Sequence, residues 1–109
     1  MAYDEGLLQR VREVADTGEE WVEKKMFGGV AVMLNGNMAC GILDDELMVR
    51  GGPDAYEDSL GQPHAREMDF TGRPMKGMVM VSVAGIDADG DLAYWVARGV
   101  GFAGSLPAK

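Results

Sequence analysis

The chain has 109 residues, 47% of them hydrophobic and 26% charged, a balance that suits one domain over residues 1–109 with a modest core. No apolar run approaches the roughly 18 residues that span a bilayer, and Met1-Ala2-Tyr3-Asp4-Glu5-Gly6 is acidic where a signal peptide is positive, so a cytoplasmic protein without membrane contact is expected. The net charge of −8 opposes direct nucleic-acid binding, and a single cysteine (Cys40) with a single histidine (His64) excludes an intramolecular disulfide and a conventional zinc site within a monomer.

In chain order, residues 4–16 place Leu7, Leu8, Val11, Val14 and Ala15 at helical spacing. Asp4 is the expected N-cap, Glu5 lies in the first turn, and Asp16-Thr17-Gly18 is the stop. Glu19 to Lys25 reads as a lead-in. Met26 to Leu34 is then strand-like, Asn35-Gly36-Asn37 is a hairpin turn because Asn and Gly tolerate positive φ, and Met38 to Leu43 returns as a second strand. Asp44-Asp45 turns the chain into a third strand, residues 46–50. The glycine-rich run KKMFGGVAVMLNGNMACGI, residues 24–42, is therefore a hairpin and not a phosphate-cradling loop.

Gly51-Gly52-Pro53 starts a short helix over residues 53–60, with Pro53 near its first turn. Residues 66–71 and 77–83 read as strands four and five. A final helix from about Asp91 to Ser105, capped by Asp89, turns Leu92, Trp95, Val96, Gly99, Phe102, Ala103 and Leu106 inward. The order α-β-β-β-α-β-β-α with short links predicts an α+β two-layer sandwich with a mainly antiparallel five-stranded sheet.

Residues 30–34 and 78–81 are apolar without alternation, so both faces of the central strands are expected to be buried. The two longer helices cover one face; a second subunit of a homodimer, or the short helix, covers the other. Met33, Met38, Met48, Met68, Met78 and Met80 fall on strands, as core filler or as an adaptable surface for a protein partner.

Chemistry is sparse. Gly99-Val100-Gly101-Phe102-Ala103-Gly104 matches G-x-G-x-x-G, but it lies inside the last helix without the strand that should precede it; its small residues instead let the helix lie close on the sheet. Asp87-Ala88-Asp89-Gly90-Asp91 imitates a calcium loop but has Leu92 where Gly is required and Arg98 where a bidentate Glu is required. Cys40 is expected to be buried and inert, and His64 an exposed loop residue. Ser59, Ser82 and Ser105 lack a nucleophile-elbow context. No catalytic residue, metal site or cofactor is assigned. The candidate binding residues are Phe27, Gly28 and Gly29 with Arg50, Arg73 and Lys76: the cations could take an anion or an acidic partner, or pair with carboxylates in an ordinary turn.

Met26-Phe27-Gly28-Gly29, then Phe70-Thr71-Gly72-Arg73-Pro74-Met75-Lys76-Gly77, then the Trp95 helix running into Ser105-Leu106-Pro107-Ala108-Lys109 resemble the TfoX N-terminal domain family. TfoX, also called Sxy, is a regulator of natural competence for DNA uptake in bacteria. The resemblance implies a two-layer fold of the secretion-chaperone-like kind and offers no catalytic residues to carry over. TfoX-type regulators carry a second, C-terminal domain, and this chain is expected to be a stand-alone member without it. The expected function is a non-enzymatic regulatory or protein-interaction module, with a small-molecule or anion binder, or an unrecognised enzyme using the Arg73/Lys76 turn, as the alternative.

Overall fold

A computed structural model describes residues 4–15, 21–26, 28–67 and 77–107. Helix α1 (Glu5–Ala15) is followed by strands β1 (Trp21–Met26), β2 (Gly29–Leu34), β3 (Asn37–Leu43) and β4 (Glu46–Arg50). A 3-10 turn at Pro53–Ala55 leads into the short helix α2 (Tyr56–Leu60), then β5 (Ala65–Glu67), β6 (Met78–Val81), a second 3-10 turn and helix α3 (Asp89–Ser105). The strands form one antiparallel sheet in the order β1-β2-β3-β4-β6-β5.

The sheet has six strands, not five. The extra strand is β1, which occupies most of the lead-in read between Glu19 and Lys25. Only the first part of strand four, Ala65–Glu67, lies among the described residues, and strand five ends at Val81 before a 3-10 turn. The stop expected at residues 16–18 lies outside the described residues.

Local chemistry accounts for the elements. The Asp4 carboxylate Oδ1 accepts the Leu7 N–H at 3.1 Å, which caps α1. Asn35 and Gly36 take φ values of 53° and 83°, a pair suited to a two-residue hairpin. Pro53 opens the turn before α2. Helix α3 starts two residues earlier than expected and its N-cap is Ala88, which makes no side-chain cap. Asp89 sits in the first turn instead, and its carboxylate pairs with Arg10 at 3.1 Å, since α1 brings that guanidinium to the loop.

The strand register fixes which residues share a face. One row across the sheet runs Lys25, Val30, Ile42, Leu47, Val81, Ala65; the next runs Glu23, Val32, Cys40, Val49, Val79, Glu67. Both point to the helices, and their four central members join Leu7, Leu8, Val11, Leu92, Trp95 and Val96 in the main core. Tyr56 and Leu60 of α2 pack against this same core, so the short helix lies on the side of α1 and α3 and does not cross the opposite face.

That opposite face carries the row Lys24, Ala31, Gly41, Met48, Met80, Arg66. Met48, Met78 and Met80 form a second cluster, with Met38 and Leu43 packed against it. Both faces are apolar at their centres, as expected, but Met48 and Met80 are only 0% and 4% exposed within one chain. Burial of this face does not by itself require a second copy.

Candidate functional site

Of the candidate residues, Gly28, Gly29 and Arg50 lie among the described residues; Phe27, Arg73 and Lys76 lie outside them. Gly28 is exposed on the β1–β2 turn with a φ of 76°. Gly29 is buried, and a Cβ there would collide with the Ile42 carbonyl oxygen of β3. Its glycine is thus explained by backbone packing.

Arg50 ends β4 opposite Met78. Its guanidinium lies over the Phe102 ring at 5.2 Å from the centroid, a cation–π contact. Among the described residues no carboxylate lies within ion-pair distance of it. Gly52 donates its N–H to the Gly77 carbonyl at 3.1 Å, so the last residue of the Phe70–Gly77 segment is tied to the Arg50 end of the sheet. Gly29 is level with Leu43 and Glu46, at the other end of β4. At about 3.3 Å per residue the four positions from Glu46 to Arg50 span about 13 Å. Arg50 and Gly77 come together; Gly28 and Gly29 stand apart from them.

The other reactive-looking groups have structural work. Cys40 is fully buried beneath α3 and burial pushes its thiol up to about 12, which leaves no thiolate for nucleophilic chemistry near neutral pH. His64 is exposed on a turn with a φ of 68°. Ser59 is 3% exposed and accepts a 2.7 Å hydrogen bond from Arg98, and the Ser105 hydroxyl donates to the Phe102 carbonyl at 2.6 Å. The Asp87–Asp91 turn is clamped by Arg10, which donates to the Ile86 and Asp87 carbonyls at 3.0 Å each and to Asp89. A guanidinium occupies the position that a loop cation would need. A shallow cleft of about 240 Å³ beside Arg10, bounded by Asp4, Asp45 and Val83, has its cation consumed in the same way.

Arg98 is the polar hub that sequence reasoning missed. From α3 it reaches Ser59 and Asp58 of α2, each at 2.7 Å, donates to the Tyr94 hydroxyl, and lies over the Tyr94 and Trp95 rings. The i,i+4 spacing of Tyr94 and Arg98 was a local signal. Ser59 and Asp58 are 39 and 40 residues away, and nothing in the sequence marks them as partners.

On the face opposite the helices the register places Lys24, Arg66 and Glu46, and Glu46 pairs with Arg66; the Arg50 guanidinium lies against Phe102 of α3 instead. Met48, Met78 and Met80 on this face are buried within one chain.

No curated protein and no solved structure matches the chain. The model of the TfoX N-terminal domain matches residues 13–103, which takes in the whole sheet and nearly all of α3, and the chain belongs to the TfoX N-terminal domain family.

Proposed function

We propose that the chain is a non-enzymatic regulatory or protein-interaction module that self-associates and contacts other proteins in the bacterial cytoplasm. The observation that carries this reading is the edge of the sheet: β1 pairs only with β2 among the described strands and exposes Val22, Lys24 and Lys25 in an acidic chain. An unpaired strand edge offers backbone donors and acceptors to another chain, and exposed lysines on it steer acidic surfaces towards it. The use of Cys40, Ser59 and Ser105 in packing and hydrogen bonds supports the same reading. Among the described residues no helix is long and apolar enough to cross a membrane.

Amine-directed crosslinking of the protein, isolated gently from its host, tests this. A second copy or an acidic polypeptide joined in good yield through Lys24 or Lys25 is the expected product. Recovery of uncrosslinked chain alone sinks the reading.

A second reading has one observation in its favour. Arg50 is half-buried over Phe102 without a carboxylate partner among the described residues, and it lies at the Gly77 end of the sheet. A small anion would satisfy it, with Arg73 and Lys76 as further cations. Phosphate titration followed by NMR tests this: shifts at Arg50 that vanish when Arg73 and Lys76 are replaced by Ala support anion binding, and no shifts at millimolar phosphate dispose of it.

A further inference from the structure

β1 forms one edge of the sheet: it is six residues long, pairs only with β2 among the described strands, and has Val22 42% exposed with Lys24 and Lys25 exposed beside it. A long unpaired edge offers a row of backbone donors and acceptors to another strand. Lysines on such an edge discourage indiscriminate pairing, so the way charges meet across it selects the register of a strand that adds.

We propose that β1 is the homodimer interface, pairing antiparallel with β1 of a second copy about a two-fold axis normal to the sheet. The proposal rests on the reading of the chain as a self-associating module and says where the second copy sits. Such an axis keeps both sets of helices on one side, so residues facing each other must share a face and their numbers must sum to an even value. Three registers bring the charged centre of β1 together. One centred on Glu23 opposes two glutamates, and one centred on Lys25 opposes two lysines. The register centred on Lys24 sets Glu23 against the partner's Lys25 twice, once on each side of the axis. Two opposite-charge pairs then outweigh the single Lys24–Lys24 contact on the other face.

Glu23 is prepared for this role. The Arg12 guanidinium holds both of its carboxylate oxygens, at 2.7 and 2.6 Å, which fixes the side chain on the helix side of β1, on the same face as Lys25. The result is an Arg12–Glu23–Lys25 network on each side of the axis and a continuous sheet through both copies. Isologous contact of this kind closes at two and leaves β5 as the outer edge of each copy among the described strands.

Sedimentation velocity on the whole chain from micromolar to millimolar concentration tests the proposal, with the K25E and K24T variants alongside. Both positions are exposed edge residues, and melts followed by circular dichroism verify that the variants fold. K25E turns two attractive pairs into repulsive ones and is expected to weaken the dimer about tenfold; K24T removes one repulsion and is expected to tighten it about threefold. Opposite shifts from two substitutions that each remove a lysine are the expected result. A dimer that responds to neither variant overturns the β1 interface while self-association stands. A monomer at every concentration overturns both.

Discussion

Replacing Gly99 by alanine perturbs the closest approach of α3 to the sheet. A Cβ at Gly99 would lie 3.0 Å from the Ala39 carbonyl carbon and closer still to its oxygen. That neighbour is strand backbone, so it cannot rotate away. The helix must lift instead, and a gap of about 0.5–1 Å forfeits a quarter to a half of each dispersion contact beneath it. Those contacts hold Trp95, Val96 and Ala103, 3%, 1% and 0% exposed, against the sheet. Overpacking of this kind costs up to about 3 kcal/mol, while alanine returns about 1 kcal/mol of helix propensity, so the net loss is about 2 kcal/mol. For a chain of 109 residues each kcal/mol moves the melting point by about 4 °C, which predicts a fall of about 8 °C. Gly101, two residues on, supplies the control because a Cβ there meets nothing within 4 Å. Gly101→Ala keeps the propensity gain alone and should raise the melting point by about 2–4 °C. Melts of both variants by circular dichroism decide the matter. A Gly99→Ala protein as stable as the parent would refute the argument that this glycine exists for close packing.

Arg98→Lys should destabilise the chain by about 1–2 kcal/mol in urea titrations, because an ammonium cannot reproduce contacts to Ser59, Asp58 and two rings at once; an unchanged midpoint would contradict this. Asn37, 1% exposed, donates through Nδ2 to the Pro107 carbonyl at 3.0 Å, and Asn37→Ala should cost about 1–2 kcal/mol and speed amide exchange in residues 103–106, with slow exchange there as the adverse result. For Cys40 the sign follows from burial: the folded thiol titrates at about 12 against an ordinary 9.0. The unfolded chain therefore loses that proton first, and stability falls as pH rises above about 9 towards 12. Native Cys40 should resist iodoacetamide at pH 8, and the parent should lose more stability than Cys40→Ala between pH 8 and 10.5; equal losses would refute the assignment.

The parts of the fold that were legible in the sequence are those where local chemistry and burial agree. Asp4 caps α1 through its own carboxylate, Asn35-Gly36 supplies the two positive φ values of its turn, and Leu92, Trp95, Val96, Gly99 and Ala103 are buried along α3. β1 was missed because Glu23, Lys24 and Lys25 lie on an edge strand and carry no burial periodicity to read. The short helix was free to take either face until Tyr56 and Leu60 were seen in the main core, a choice set by tertiary contact alone. Asp89 is displaced as a cap by a guanidinium 79 residues away in sequence. Gly99 fulfils the small-residue reading of the G-x-G-x-x-G match, whereas Gly101 and Gly104 are exposed and contribute little to the contact. Of the candidate site, the register relates Gly28, Gly29 and Arg50, and these do not converge.

Native mass spectrometry of the protein purified gently from its own host is the most direct test of an interaction module. The account predicts a mass of two chains, alone or with an additional polypeptide, and no small adduct. A single chain carrying a reproducible small molecule would contradict it, and the added mass would begin to identify a ligand.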